Sequence, residues 1–302
     1  MSRIFAVKLE DRGLLALSGP DLRDFLQGIV SNDVNRVSAS QSIWAAFLTP
    51  QGKYLYDFFI SQPTEGTFWL DVEAERRADL MKRLRMYKLR SKVEMTDLSE
   101  DYEVHALYGE TSDILDLPPL AGASQSYHDG VLMRDPRHLD IGLRLVAPKT
   151  QTDQLLSELE AETGTREDYD VQRIALGLPD GSRDMEAERA TLLENGFDEL
   201  GGVDWQKGCY MGQELTARTK YRGLVKKRLM PVKLDGSPPD IGTAVTLNGK
   251  QVGEIRSSAK GRALALLRLD IFKSEDSPLL EAGEARLTPH PPDWADFWKD
   301  SR

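Results

Sequence analysis

The sequence predicts an α+β fold followed by a small all-β module. Strands and helices mix without the regular strand–helix repeat of a doubly wound sheet. Apolar residues alternate with period two in some segments and recur at helical spacing in others. From Leu229 onward the texture changes to short strands broken by turn residues. A chain of 302 residues fits about two domains at roughly 150 residues each. The boundary expected is 1–228 for the α+β region and 229–302 for a barrel-like domain with its tail.

In chain order, "GLLALSGPDLRDFLQGIVSNDV" predicts a strand over Leu14–Leu17. A helix follows, marked by Ser18 and by Pro20 in its first turn, with Leu22, Phe25, Leu26 and Ile29 on one face. "IWAAFLTPQGKYLYDFFIS" reads as two apolar strands around Pro50-Gln51-Gly52-Lys53, a hairpin. The strand "TFWLDV" leads into a charged helix from about Glu73 to Tyr87, and "KVEMTDL" and "DYEVHALYG" alternate like half-buried strands. "DLPPLAGASQ" at 116–125 is a loop, because prolines and small residues hold neither a helix nor a central strand. Strands are expected at Val131–Arg134 and Ile141–Val146, then helices near Thr150–Glu162 and Asp168–Leu176. In the C-terminal module Asn248-Gly249 marks a two-residue hairpin, and "RALALLRLDIF" is expected to close a barrel. The tail "PHPPDWADFWKD" carries Trp294 and Trp298 four residues apart, a spacing suited to covering an apolar patch.

Composition limits the function. With 40% hydrophobic residues the chain can bury a sizeable core, and 39 Lys and Arg against 49 Asp and Glu leave a net charge of -10. The surface as a whole does not attract nucleic acid or an anionic membrane. The single cysteine forbids an internal disulfide, and neither it nor the four scattered histidines have zinc-ligand spacing, so no metal site is expected. A reducing compartment fits, and the start "MSRIFAVKLEDRG" resembles neither a signal peptide nor an organelle presequence. The location expected is cytoplasmic.

The single cysteine, Cys209, stands in "WQKGCYMGQELTAR". Gly208 and Gly212 allow unusual backbone angles, and "QELTARTK" is a good helix former with Glu214 in its first turn. A loop cysteine before a helix N-terminus, with Lys207 two residues away, suits a thiolate; a small buried hydrophobe is the equal alternative. Lys207, Arg218, Lys220, Arg222, Lys226, Lys227 and Arg228 are opposed only by Glu214, which makes either a local anion-attracting stripe or a solvated edge. Asp184 and Glu194 lie in a turn-rich connection, "GLPDGSRDMEAERATLLENGF". A buried carboxylate there can accept paired hydrogen bonds from a heterocycle, or it can simply cap the loop.

Several stretches carry a family resemblance: "LSGPDLRDFLQGIVSNDV", "FLTPQGK", "YKLRSKV", "RIALGLPDGSRD" and above all "KGCYMGQELTAR". Over nearly its whole length the chain resembles the folate-binding YgfZ family, relatives of the glycine-cleavage T-protein. "GQELTARTKYRGLVKKRL" is especially similar to the branch of mitochondrial-type iron–sulfur cluster assembly factors. The resemblance implies a T-protein-like ring of two mixed α/β lobes plus a C-terminal barrel, with tetrahydrofolate as cofactor. It implies Glu194 as the pterin-binding glutamate, Tyr56 and Asp57 lining the folate site, Lys207 and Arg218 as basic neighbours of the folate, and Cys209 as the working thiol. Only Asp57 remains of the T-protein's acid pair, which weakens the alternative of an aminomethyl transferase or demethylase. The implied role is folate-dependent assembly or repair of [4Fe-4S] clusters in client enzymes, including radical enzymes that modify tRNA. Client enzymes or cluster carriers would be the partners, without a membrane or direct nucleic-acid binding. Such clusters normally take four cysteinates, so a partner must supply those beyond Cys209.

Overall fold

In the computed structural model, which describes residues 3–111, 114–273 and 278–295, the chain forms two compact units. The first comprises Met1–Pro50, Leu55–Arg166 and Leu200–Met211, and the second Gln51–Tyr54, Glu167–Glu199 and Gly212–Arg302.

The first unit opens with β1 (Ile4–Lys8), β2 (Arg12–Ser18) and α1 (Leu22–Gln27). Then come β3 (Ile43–Leu48), β4 (Tyr54–Thr64), β5 (Thr67–Glu73), α2 (Arg77–Lys88) and β6 (Glu94–Asp97). The strands β3-β4-β5-β2-β6 form one five-stranded sheet. β3 is buried throughout, and Leu22, Phe25 and Leu26 of α1 pack into the same core as Phe47, Phe58 and Phe68. The polar strand β6 takes the edge, where exposed side chains are tolerated.

A second sheet follows from β7 (Tyr102–Gly109), β8 (Ser124–Tyr127), β9 (Gly130–Arg134), β10 (Leu143–Pro148) and, after α3 (Thr152–Glu158), β11 (Ala161–Thr163). Its order is β11-β1-β7-β10-β9-β8. The two sheets of this unit share a buried ion cluster: Asp71 on β5 accepts from Arg12 on β2 at 2.6 Å and from Arg144 on β10 at 2.9 Å. The Arg144 guanidinium also lies 3.9 Å from the Phe59 ring, a cation–π contact in a dry setting.

The second unit contains α4 (Arg166–Ala175), α5 (Gly181–Asp184), α6 (Gln213–Tyr221) and the strands β12 (Lys227–Asp235), β13 (Ala244–Leu247), β14 (Lys250–Ala259), β15 (Arg262–Arg268), β16 (Leu280–Ala282) and β17 (Ala285–Pro289). These strands close a barrel in the order β12-β15-β14-β13-β16-β17 around Met230, Val245, Ile255, Leu267, Leu280 and Leu287.

Three expectations need correction. Closure of the barrel is made by β17 pairing with β12, because β15, the "RALALL" strand, already lies between β12 and β14. The helix expected to reach Glu162 ends at Glu158; Glu160 takes a positive φ, and Ala161–Thr163 pair in parallel with β1 instead. The charged helix starts at Arg77 rather than Glu73, because Glu73 still pairs with Arg12 in the β5–β2 ladder. Trp294 donates its indole N–H to the Leu176 carbonyl at 2.8 Å, whereas Trp298 lies outside the described residues. No helix among the described residues is long and apolar enough to cross a membrane.

Candidate functional site

The Cys209 loop is built on the end of α1. A helix leaves its last carbonyls without partners, and here a lysine from far along the chain meets the last of them, Gln27, together with two in the segment just beyond. Lys207 Nζ donates to the carbonyls of Gln27 at 2.9 Å, Val30 at 2.5 Å and Asn32 at 2.9 Å. Asp204 prepares this geometry: its Oδ1 accepts from the amides of Gln206 at 2.7 Å and Lys207 at 2.9 Å, a side-chain-made turn. Its own amide donates to the Ser31 carbonyl, and Met211 N–H donates to the Gly28 carbonyl, so both ends of the loop are tied to the α1 region. Tyr210 is buried, and the Lys207 ammonium lies 5.0 Å from its ring centre.

Cys209 itself is exposed. Of the two readings open for it, the buried hydrophobe is excluded. Lys207, however, acts differently from expectation. An ammonium has three N–H donors, and all three go to carbonyls, so none remains for the sulfur or for a folate. Burial lowers the Lys207 pKa to about 8 against the opposing pull of Asp33 and Asp204. The two flanking glycines also differ. Gly212 needs its residue type, with φ +79° at the N-cap of α6, while a side chain at Gly208 would meet only open space.

Tyr56 and Asp57 are consecutive on β4, and each is 3% exposed. Tyr56 donates to Asp79 beneath the Arg76 guanidinium, and burial together with that bond pushes its hydroxyl up to about 12. Asp57 accepts the Trp44 indole N–H at 2.8 Å.

Glu194 and Arg218 belong to the second unit. Glu194 sits in a single 3-10 turn, Leu193–Asn195, and accepts from the Thr191 hydroxyl at 2.9 Å. It borders a cavity of about 180 Å³ shared with Glu186, Arg189, Asn195, Lys227 and Arg256. Arg256 donates to Glu254 at 2.6 Å, and its Nε is buried with no acceptor among the described residues. Asp184 borders the same cavity, but its carboxylate is taken by Arg173 at 2.7 Å and by the amides of Asp180 and Ser257, both at 2.9 Å. The expectation of a ligand-reading Asp184 therefore gives way to a structural role. Arg218 is exposed and paired with Glu214 one turn earlier on α6, which leaves its guanidinium on a solvated helix face.

The fold thus brings Lys207 and Cys209 onto one braced loop and gives Glu194 a pocket of its own, while Tyr56 and Asp57 are engaged inside the first unit's core. Sequence reasoning missed Asp204, although an aspartate two and three residues before the amides it caps is a readable turn pattern. It also missed the carbonyls at and just after the end of α1, which no side-chain motif encodes. Among the described residues no group of three or more His, Cys, Asp or Glu could hold a metal ion.

Comparison with known proteins places this geometry in a family. Residues 9–116 match the GCVT N-terminal domain, and residues 226–297 match the CAF17 C-terminal beta-barrel domain. The solved structure of the glycine cleavage system aminomethyltransferase T from Bartonella henselae superimposes with a TM-score of 0.77 at 16% identity, covering 98% of this chain and 87% of that one. The fold is therefore T-protein-like, mixed α/β sheets plus a closed barrel, as the sequence resemblance implied.

Among curated relatives, the Iron-sulfur cluster assembly factor IBA57, mitochondrial, of Mus musculus is 33% identical over 310 residues, covering 95% of this chain and 84% of the relative. The Neurospora crassa homolog is 35% identical over 245 residues, covering 78% of this chain and 55% of the relative. The chain spans 55%, 65% and 58% of the first three curated relatives that it matches. All of these relatives are named mitochondrial, which overturns the cytoplasmic location expected from the sequence. With a third of its residues identical to a relative matched over most of both lengths, the chain belongs to the IBA57 family of iron–sulfur cluster assembly factors.

Proposed function

We propose that the chain serves iron–sulfur cluster assembly by presenting the Cys209 thiol to a partner protein that holds the cluster's remaining ligands. The observation that carries this reading is an exposed cysteine on a loop whose base is tied to the end of α1 and the segment after it by a half-buried lysine. Such a loop can offer its sulfur without first ordering itself, which lowers the entropy cost of docking. A [4Fe-4S] cargo normally needs four cysteinates and this chain has one, so assembly requires a complex. The names of the relatives support the process.

The folate belongs to the same proposal, and its support lies at Glu194. A carboxylate acceptor beside a buried Arg256 Nε suits the donor and acceptor edge of a pterin ring. The cavity, about 180 Å³, is smaller than the roughly 300–1,000 Å³ that encloses a drug-sized ligand. It matches the ring rather than a whole folate. Bound there, a reduced folate would supply one-carbon or redox chemistry; Glu194 would orient the ring. Radical enzymes that modify tRNA are proposed as clients. The transferase alternative lacks a supporting observation, since Asp57 is buried against Trp44 rather than open to an amine.

The test restores a deletion strain with Cys209→Ser and assays cluster-dependent enzymes under oxidative stress. Activity at or below about a tenth of the wild-type rescue is expected, and full rescue would refute a role for the thiol. Titration of the purified protein with tetrahydrofolate, wild type beside Glu194→Ala, tests the pocket; equal binding by both removes Glu194 from it.

A further inference from the structure

The basic residues from Arg218 to Lys227 form a second exposed feature, of which only Lys227, at the edge of the Glu194 cavity, enters the proposed function. Helix α6 ends in a Schellman turn: Gly223 N–H bonds to the Lys220 carbonyl, Leu224 N–H bonds to the Thr219 carbonyl, and Gly223 takes φ +59°. In such a turn the residue after the glycine usually packs back onto the helix. Here Leu224 is instead 46% exposed, and Tyr221 in the last helical turn is 74% exposed. Around these two apolar side chains Arg218, Lys220, Arg222, Lys226 and Lys227 are all exposed. Among the described residues Arg222, Lys226 and Lys227 make no ion pair, in a chain of net charge -10. Beside them lies a recess of about 560 Å³ lined by Val225, Lys226, Lys227, Arg268, Leu269 and Asp270.

Capping of the helix dipole accounts for Arg218 and Lys220. It does not account for Lys226 and Lys227, which lie beyond the helix cap, or for the exposure of Tyr221 and Leu224. Apolar centre and charged rim are the composition of a protein-docking face. We infer that Tyr221 and Leu224, with Arg222, Lys226 and Lys227, dock an acidic face of a partner protein on which carboxylates flank apolar side chains. An acidic protein face is favoured over nucleic acid because its charge is confined to the contact. A polyphosphate extends its charge at about one per 1.7 Å of duplex and would meet the acidic remainder of this surface. The inference depends on neither Cys209 nor folate.

The test measures binding of the full chain to a short fluorescein-labelled peptide alternating Glu with Leu, against the same peptide with Lys for Glu and a labelled single-stranded RNA. Wild type is expected to prefer the acidic peptide, with affinity falling about tenfold or more between low and high salt. The charge-reversed variant R222E/K226E/K227E is expected to bind it about tenfold more weakly. Tyr221→Ser with Leu224→Ser is expected to weaken it about threefold at constant salt dependence. Because these residues are exposed, unchanged melting is expected of both variants, and the salt dependence of wild type needs no variant. No binding of the acidic peptide, equal binding of the lysine peptide, indifference to charge reversal, or tighter binding of the RNA would each overturn the inference.

Discussion

Two cations drawn away from solvent, one in each unit, are held in opposite ways: Arg173 is fully buried and Lys207 half-buried. Arg173 of α4 has no exposed surface; its guanidinium meets Asp170 at 3.0 Å, Asp184 at 2.7 Å, the Leu178 carbonyl at 2.7 Å and the Ser257 hydroxyl at 2.8 Å. Lys207 meets carbonyls alone. Burial acts against the charge of both. At Arg173 the attraction of Asp184, Asp180 and Asp170 outweighs it and the pKa rises; at Lys207 Asp33 and Asp204 do not outweigh it, and the pKa falls to about 8. A guanidinium matched by carboxylates is a permanent joint, since removing either side strands a buried charge. A lysine matched only by dipoles is a clasp whose charge is held at a cost, because burial disfavours the ammonium. The permanent joint fixes α4 and α5 to the barrel strand β14 through Ser257, and the clasp carries the cysteine loop.

The contrast makes graded predictions. Arg173→Met should be the most damaging, about 3–5 kcal/mol in urea denaturation, because Asp184 stays buried without its cation while Asp170 keeps only Arg183. A loss below about 1 kcal/mol would show that the joint is no stronger than the clasp. Lys207→Met should cost less, about 1–3 kcal/mol, the penalty of leaving carbonyls unpaired near the surface. Its sharper signature is local: hydrogen exchange at Met211, whose amide donates to Gly28, should accelerate while the barrel amides are unchanged.

The pH response separates the two cations further. Below a pH of about 8 Lys207 is charged in both the folded and unfolded chain. Between about 8 and the ordinary 10.5 the unfolded chain keeps a proton that the folded chain has released, so stability rises with pH. The slope should lie below the ~1.4 kcal/mol per pH unit of a full proton, because solvent screens a partly buried group. Wild type should therefore gain on Lys207→Met across that window, as read from urea midpoints, and parallel curves would exclude Lys207 as the titrating group. The smallest effect belongs to Arg218→Ala, which breaks only an exposed helix pair and should shift stability by less than about 0.5 kcal/mol.

The same contrast explains what was legible in the sequence. Local features were readable: the Pro50–Lys53 connection joins the neighbouring strands β3 and β4, and Asn248-Gly249 turns β13 into β14 as their residue types require. The Cys209 block was recognisable because its residue types are distinctive. What was not readable depends on distant partners. Ala161–Thr163 has no strand signal of its own and becomes one because β1 offers an open edge. Lys207 looked like a ligand for an anion because its carbonyl partners, some 175 to 180 residues earlier, carry no side-chain signature. Asp184 looked available because Ser257, 73 residues later, is invisible from its own loop.

The return of Leu200–Met211 to the first unit has a consequence during synthesis. A chain growing from its N-terminus completes both sheets of that unit by Thr163, yet the end of α1 stays uncovered until Lys207 has emerged. Lys207 is thus the closing piece of the first unit, and a product cut short before residue 207 leaves the ribosome with neither that fastening nor Cys209.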